Sequence, residues 1–397
     1  MGLVAWFLEI EIKMESQMKK KVGIITIIDS INYGNRLQNY AMERLLYNLG
    51  LEAYTIPQIY FEDRDCLFDY ISLSIKKYLY NLKGLVRIVH RIKGKKSEKS
   101  DTKENTGITI RKKKFTTFNE SYLHLDNYVI YSRTIGSELK NRYDYFVTGS
   151  DQVWNPLFKW SKYIMYLRFA PKHKRIAISA SFGIPEIPRE HQRIVARYLK
   201  DMNYISVREA SGSRIVEKYT GKKCDILMDP TLLVTRYTWN ELTKNTSINT
   251  PENYIAVYFL GSVSSKKEEC IKEIAQNNKN EVVWLNSEKS PEYYSISPAD
   301  FVSVLKRAQL IITDSFHGCA FSIIFKKQFV VFRREGYTLD MFDRIKTLLE
   351  LVGLTSQIKE DCTASYNEIS DDMFLQVEKV LQEKRLEAER ILKLVMS

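Results

Sequence analysis

Short β-branched strands that alternate with helical segments are the feature that most constrains the fold of this chain. The first half has strand-like runs at 21–27, 52–56, 143–148, 175–180, 204–207 and 225–228, and helical periodicity at 35–50, 189–200 and 213–219. Strands that alternate with helices build a parallel sheet covered on both faces. The sequence therefore predicts an α/β fold.

A polar stretch with two prolines, DPTLLVTRYTWNELTKNTSINTPENY, interrupts this pattern, and a second alternation follows it. Strands are predicted at 254–261, 281–286, 310–313 and 328–332, with helices at 266–277, 298–307, 319–325 and 370–394. A chain of 397 residues is long for one hydrophobic core. We therefore predict two Rossmann-like domains facing a cleft, at 18–240 and 250–397, with the last helix closing the second.

The first seventeen residues do not continue the pattern. Their apolar run is short, is interrupted at Glu9 and lacks both a basic start and a small-residue cleavage site, so it makes a poor signal peptide. The first strand opens naturally from Met18, and we interpret 1–17 as an extension. The five cysteines are scattered without a C-x-x-C pair, which is typical of reduced thiols in a cytoplasm and predicts no zinc site.

Positive charge is concentrated in one insertion, at about 65–120. The chain carries a net charge of +12, and residues 76–114 alone hold 14 Lys and Arg against 3 Asp and Glu. Apolar residues recur at helical spacing from 71 to 92, which predicts a basic amphipathic helix. It either packs on its own domain or docks through 71–96 on an anionic membrane surface. No stacking aromatics accompany the charge, so no nucleic-acid partner is expected.

Polar side chains follow the first predicted strands, where ligands of such sheets bind. DSINYGNRLQNYA places Asn35 and Gln38 at a helix start, which suits an anion or a hydroxyl but also a plain helix cap. GSDQVWNP brings Ser150, Asp151 and Trp154 together. A carboxylate binds sugar hydroxyls and an indole covers an apolar sugar face, although a helix cap explains Ser150 or Asp151 equally well.

Two further strand ends carry small or charged residues. SASFG, with Ser181 at its centre, allows a close backbone approach. SVREASGSR places Arg208 and Glu209 together, either as a binding site for an anion or as a structural ion pair.

The stretch LIITDSFHG places Ser315 and His317 at a strand-to-helix turn, next to Asp314. The positive end of the helix disfavours imidazolium and keeps His317 near the neutral form, whereas an anionic substrate acts in the opposite direction. Arg344 lies near a later helix start and offers a cation to an anionic ligand. We find no phosphate-binding loop, dinucleotide fingerprint, nucleophile elbow or zinc-protease motif.

Taken in order, the blocks NYGNRLQNYA, VTGSDQVWNP, SASFG, SVRE, DPTLL and TDSFHGCAFSIIF resemble the polysaccharide pyruvyl transferase family. The resemblance runs from about Val22 to Leu354 and omits the basic insertion and both termini. It implies a fold of the glycosyltransferase-B type. It also implies transfer of a pyruvyl group from phosphoenolpyruvate to two hydroxyls of a sugar, forming a cyclic ketal on a bacterial surface polysaccharide or on its lipid-linked precursor.

The resemblance also implies roles for individual residues. His317 matches the histidine of the family and is the expected acid or base, with Asp151 as a second catalytic group. Arg208 and Arg344 are the expected anion ligands. The other expected substrate-binding residues are Asn35, Gln38, Ser150, Trp154, Ser181 and Ser315. No metal and no cofactor beyond the donor substrate is expected, and the location implied is the cytoplasm or the inner face of its membrane.

One position departs from the family pattern. Some relatives carry an arginine two residues before the histidine, where this chain has Ser315. Either Arg344 or another arginine supplies that cation, or the donor is not phosphoenolpyruvate. Two alternatives follow, a nucleotide-sugar glycosyltransferase of the same fold, with Glu335 as a ribose ligand, and a non-catalytic partner in glycan assembly at the membrane.

Overall fold

The computed structural model describes residues 19–28, 31–58, 106–130, 135–158, 162–335, 342–360, 362–363 and 365–397. The predicted extension at 1–17 and the predicted basic helix at 71–96 lie outside these residues. The predicted fold class is confirmed, because the strands form two separate parallel sheets flanked by helices.

The first sheet has six strands in the order β2-β1-β3-β4-β5-β6. All of its strand pairs are parallel. Its strands are β1 (Lys21–Ile25), β2 (Glu52–Thr55), β3 (Tyr145–Thr148), β4 (Arg175–Ala180), β5 (Tyr204–Val207) and β6 (Asp225–Ile226). The strand order reverses between β1 and β3, so the loops after these two strands diverge and leave room for a ligand.

The second sheet has five strands in the order β11-β10-β9-β7-β8, again with parallel pairs throughout. Its strands are β7 (Tyr254–Tyr258), β8 (Glu281–Leu285), β9 (Leu310–Thr313), β10 (Gln328–Phe332) and β11 (Ile358–Lys359). Here the order reverses between β7 and β9. The predicted histidine therefore follows one of the two strands at which a ligand is expected.

Fourteen α-helices occur within the described residues. They are α1 (Tyr33–Asn48), α2 (Thr106–Tyr122), α3 (Ser137–Arg142), α4 (Lys162–Met165), α5 (Arg189–Lys200), α6 (Ala210–Thr220), α7 (Pro230–Leu233), α8 (Arg236–Thr243), α9 (Ser265–Asn277), α10 (Pro291–Tyr294), α11 (Pro298–Arg307), α12 (Phe316–Ile324), α13 (Asp343–Leu351) and α14 (Asp371–Val395). Two short 3-10 helices, Lys172–Lys174 and Thr355–Gln357, complete the set. Helix α2 is unpredicted, and α7 and α8 lie in the stretch predicted as a polar interruption.

One hydrophobic core runs through both halves of the molecule. It joins buried residues of the first sheet and α1, such as Val22 and Leu37, to residues of the second sheet and its helices, such as Tyr254 and Phe301. Two smaller cores cover the outer faces of the two sheets. Burial of apolar surface is the main favourable term in folding, so the shared core fixes how the two sheets face each other.

Aromatic side chains make the closest contacts across this shared core. Tyr33, at the start of α1, stacks on Phe301 of α11 with ring centroids 4.3 Å apart, and its hydroxyl donates to Ile296 O. Arg111 of α2 donates to Ile31 O and to Asn286 Oδ1, and therefore ties the entrance of α1 to the end of β8. These contacts hold the start of α1 against the second half.

The closing helix α14 returns to the first half. Arg385 Nε donates to Leu232 O, and Tyr145 OH donates to Ser397 O at the end of the chain. Apolar residues of this helix, Phe374, Val377, Leu381, Ala388 and Leu392, are buried at helical spacing. The chain therefore crosses between the two halves a second time.

Trp239 of α8 is the packing residue whose loss should cost the most at this junction. Its ring is fully buried, lies edge-on to Phe321 at 4.8 Å and contacts Tyr40 at 5.8 Å. We expect Trp239→Ala to lower the free energy of unfolding by about 3–5 kcal/mol. Tyr237→Ala, on the same helix but at a 70% exposed residue, should cost about 0.5 kcal/mol or less. Urea unfolding of both variants checks this, and equal losses would contradict it.

Candidate active site

The carboxyl ends of the two sheets meet, and buried polar side chains from both lie in contact there. Asp151 follows β3 and Arg208 follows β5 in the first sheet, whereas His317 follows β9 and Arg344 begins α13 in the second half. All four side chains are buried. The sequence prediction that these residues form one site is consistent with this placement.

Asp151 joins the two halves through a shared carboxylate oxygen. Its Oδ1 accepts from Nη2 of Arg208 at 2.6 Å and from Nη1 of Arg344 at 3.0 Å. Burial alone would raise the pKa of Asp151, but the two guanidinium groups bring it down to about 2. Asp151 is therefore ionised at neutral pH, and it balances two arginines that come from different halves of the molecule.

Arg208 is enclosed on all sides. Nη1 donates to Oδ2 of Asp229 at 2.5 Å, and the guanidinium lies over the ring of Phe316 at 4.5 Å. A guanidinium stacked on an aromatic face and bonded to two carboxylates is held in one orientation. Burial and the neighbouring Arg208 lower the pKa of Arg344 to about 10, so both groups remain cations at neutral pH.

His317 lies on the opposite side of this cluster, in the first turn of α12. It is 6% exposed, and among the described residues its Nε2 has no hydrogen-bond partner. Burial lowers the pKa of His317, and the charges of Arg208 and Arg344 act in the same direction, against those of Asp229 and Asp151. The imidazole is therefore held in its neutral form in the absence of a ligand.

Gly34 allows this histidine to reach the first half. A methyl carbon added at Gly34 would lie 2.2 Å from Nδ1 of His317, closer than any van der Waals contact allows. The neighbouring Asn35 is buried, and its Oδ1 accepts no hydrogen bond from the described residues. The predicted role of Asn35 in substrate binding stays a prediction.

Gln38 and Ser150 are used by the protein itself. Gln38 Oε1 accepts from Ser150 N at 2.9 Å, and its Nε2 donates to Thr26 Oγ1 at 2.8 Å. The Ser150 hydroxyl lies 2.7 Å from Asp229 Oδ2 and 3.0 Å from Ser179 O. Both side chains are fully buried. Their polar atoms fix the loop that carries Asp151, and their predicted role as substrate ligands stays a prediction.

Trp154 packs inside the protein. Its indole is 1% exposed, stacks on Tyr166 with centroids 4.9 Å apart, and donates from Nε1 to Met165 O. The outer core of the first sheet covers this ring, and its predicted contact with a sugar stays a prediction. Ser181 is buried beside it, and its backbone N donates to Asp151 O at 3.0 Å, which helps to hold the same loop.

The residues before His317 have separate tasks. Asp314 accepts from Leu260 N at 2.7 Å and from Gly261 N at 2.8 Å, so it fastens the loop after β7. Ser315 precedes α12 and is buried, and its backbone N donates to Thr313 Oγ1. Ser315 supplies no cation at the position where some relatives have one.

Glu335, the suggested ribose ligand, forms an ion pair with Lys267 at 2.8 Å. Its side chain is 41% exposed. Within the described residues, no three His, Cys, Asp or Glu side chains are grouped so that they could hold a metal ion. The expectation that no metal is required stays a prediction.

Two further buried carboxylates lie at this cluster. Asp229 is fully buried and bonds Arg208; the sequence analysis included it only within the block DPTLL, whose Asp-Pro pair reads as a helix start. Glu209, for which a structural pair with Arg208 was one of two alternatives, accepts at Oε1 from Phe182 N at 2.8 Å. Burial raises the pKa of Glu209.

A cavity of about 380 Å³ lies apart from the cluster, beside β11. Its lining includes Ser356, Lys359 and Asn367 but no histidine or arginine. Lys359 Nζ is already bonded to Thr363 Oγ1 at 2.8 Å. This cavity contains neither the histidine nor the arginines of the cluster, and we place the candidate site by its chemistry.

Comparison with known proteins identifies one family. The model described as "Polysaccharide pyruvyl transferase" matches residues 32–336. No curated protein matches the sequence.

Solved structures with a similar outline were also found. The UDP-GlcNAc 2-epimerase of Methanocaldococcus jannaschii, in complex with UDP-GlcNAc and UDP, is 13% identical, with coverage of 92% of this chain and 94% of that one and a TM-score of 0.45. The ADP-heptose lps heptosyltransferase II of E. coli is 12% identical, covering 93% and 99%, with a TM-score of 0.36. These values support no conclusion about function.

The contact between Gly34 and His317 predicts a specific defect. Gly34→Ala should move the imidazole and lower the free energy of unfolding by about 1–3 kcal/mol, because the added methyl group overpacks a closed contact. Gly136→Ala is the matched control, since its nearest neighbour would lie 4.0 Å away. Urea unfolding and the NMR signals of the His317 ring measure both effects. Unmoved ring signals in Gly34→Ala would contradict the contact.

Proposed function

The chain belongs to the polysaccharide pyruvyl transferase family, and from that premise we propose that it transfers the pyruvyl group of phosphoenolpyruvate to two hydroxyls of one sugar. The observation that carries the proposal is the buried arginine pair, held by Asp151 beside the neutral His317. Phosphoenolpyruvate has a carboxylate and a phosphate. Two buried cations next to a proton carrier suit such a donor.

The reaction requires one proton to be given and two to be taken. Protonation of the methylene carbon of the donor converts the C=C pair into a C–H bond and leaves an oxocarbenium-like carbon. One sugar hydroxyl attacks that carbon and loses its proton. The C–O bond to phosphate then breaks, the second hydroxyl closes the ketal, and its proton leaves with inorganic phosphate. A general acid, a base and cations for the leaving phosphate are therefore needed.

His317 is the proposed acid, and Asp151 is the proposed base. Asp151 occupies Nη2 of Arg208 and Nη1 of Arg344. The carboxylate and the phosphate of the donor would bind the same two guanidinium groups, so the donor competes with Asp151 for them. Donor binding therefore releases the Asp151 carboxylate, which then accepts the proton of the attacking hydroxyl. Asn35 Oδ1, which accepts no hydrogen bond from the described residues, is left to orient the acceptor.

Arg344 compensates for the serine before the histidine. Ser315 gives no positive charge at that position, but Arg344 enters the same cluster from α13, 3.0 Å from Asp151. We propose that Arg344 binds the donor in place of the arginine found in some relatives. The departure in the motif then changes which element delivers the cation and leaves the reaction unchanged.

The acceptor we propose is a bacterial surface polysaccharide or its lipid-linked precursor, modified in the cytoplasm at the inner face of the membrane. None of the described helices has the length and hydropathy to cross a membrane. The basic segment 71–96, known here from sequence, is the proposed contact with anionic lipids. A peripheral enzyme of this kind meets a lipid-linked sugar at the surface on which that sugar resides.

Thermal unfolding with and without millimolar phosphoenolpyruvate tests the donor. A ligand at about 100 times its dissociation constant stabilises the folded state by about 2.7 kcal/mol. We expect this shift in the wild type and its loss in Arg344→Ala. Arg390→Ala, at an exposed position of α14, should keep it.

Parallel samples with UDP, GDP and CMP sugars distinguish the alternative. A shift with a nucleotide sugar and none with phosphoenolpyruvate would overturn the proposal in favour of a glycosyltransferase. A shift with phosphoenolpyruvate that survives in Arg344→Ala would leave the donor in place and remove Arg344 from its binding site.

Partition onto vesicles of anionic lipid tests the membrane contact. Changing four basic residues of the segment to Gln should weaken binding at least about 100-fold, since each basic residue near such a surface contributes about 1 kcal/mol. The control changes four lysines elsewhere and removes the same net charge. Equal weakening in both would contradict a role for the segment. The residues are Lys76, Lys77, Lys83 and Arg87 for the test and Lys200, Lys222, Lys223 and Lys379 for the control.

A further inference from the structure

The carboxylate of Asp229 is fixed in the cluster by four contacts. Oδ1 accepts from Thr231 N at 3.0 Å and from Thr231 Oγ1 at 2.8 Å. Oδ2 accepts from Arg208 Nη1 at 2.5 Å and lies 2.7 Å from Ser150 Oγ. The side chain is fully buried. A carboxylate held at both oxygens cannot turn away from the groups that face it.

One of those groups is the histidine from the other half of the molecule. Oδ1 of Asp229 lies 3.9 Å from Nε2 of His317, and that nitrogen has no hydrogen-bond partner among the described residues. The distance is too long for a hydrogen bond but short for a charge interaction in a buried site. The carboxylate therefore acts on the imidazole through its charge.

The charges around His317 balance without a ligand. The charged groups that face it are Asp229, Asp151, Arg208 and Arg344. Arg208 and Arg344 both bind Oδ1 of Asp151, so these two arginines already compensate the charge of Asp151. Asp229 gives one oxygen to Arg208 and turns the other toward the histidine. Removing its charge would leave the protonated imidazole beside a net positive cluster.

We propose that Asp229 is a positioning residue for His317, whose charge stabilises the protonated imidazole when an anionic donor enters the cluster. The donor adds negative charge to the two carboxylates and two arginines around His317, so the imidazole takes up its proton when the donor binds. The identity of the donor rests on the function proposed above. The interaction of Asp229 with His317 does not, because it exists in the protein without a ligand.

The test measures the proton affinity of His317 by NMR titration of protein labelled at its five histidine rings, with His317→Gln used to assign the signal. Asp229→Asn keeps the oxygen that caps α7 and leaves Arg208 paired with Asp151. We expect it to lower the proton affinity of His317 at least tenfold, because a unit charge about 4 Å away is lost. The alkaline limb of the pH profile for turnover with phosphoenolpyruvate, where a general acid loses its proton, should move to lower pH by the same factor.

Thr231→Val is the matched variant. It removes the hydroxyl that competes with His317 for Oδ1 and keeps the charge of Asp229, so the proton affinity of His317 should rise. The inference is overturned if Asp229→Asn folds and leaves that affinity unchanged. It is equally overturned if Asp229→Asn does not fold and Thr231→Val fails to raise the affinity.

These outcomes separate the inference from the proposed reaction. A lower proton affinity in Asp229→Asn, in a wild-type protein that neither binds nor turns over phosphoenolpyruvate, would support the role of Asp229 and reject the donor. Turnover of phosphoenolpyruvate with an unmoved histidine titration would reject the role of Asp229 and support the donor.

Discussion

The architecture of the site depends on one carboxylate oxygen, Oδ1 of Asp151, which accepts from arginines of both halves. Removing one partner of a buried ion pair typically costs about 3–5 kcal/mol, because the other charge is left without compensation. The ion pairs of Asp151 with Arg208 and Arg344 therefore link the packing of the two halves against each other to the charge state of the site. The loop that presents Asp151 is itself held by Gln38, by Ser150 and by the backbone of Ser181. Residues predicted to bind substrate therefore also support this oxygen.

The fold could be predicted well because the central strands, such as β4, β7 and β9, are buried on both faces. The bounds of four strands, β4, β5, β9 and β10, coincide with the predicted ones, since an apolar β-branched run marks where a strand begins and ends. Helices α7 and α8 were missed because an Asp-Pro start and a polar surface look like a linker. Their apolar side chains become visible only through packing, as with Trp239 against Phe321.

The sequence singled out some residues of the cluster and not others, for physical reasons. His317 and Arg344 were identified because strand ends and helix starts are the places where ligands bind to such sheets. Trp154 was predicted to face a sugar because the same letters suit a sugar platform or a core residue, and only the folded chain shows that it stacks on Tyr166. Asp229 was overlooked because a helix cap explains an Asp-Pro pair fully, and only the folded chain brings the carboxylate to Arg208 and His317.

A buried site made of equal positive and negative charges gives the enzyme a way to order its steps. With two carboxylates and two arginines around it, the histidine is kept neutral by burial, and no proton is exposed to side reactions. In the proposed reaction, an anionic donor that enters the cluster shifts this balance toward proton uptake on His317 and release of Asp151. On that proposal, one binding event prepares both the acid and the base. Ser315, two residues before His317, fits this proposal, because Arg344 brings a cation into the same cluster from α13.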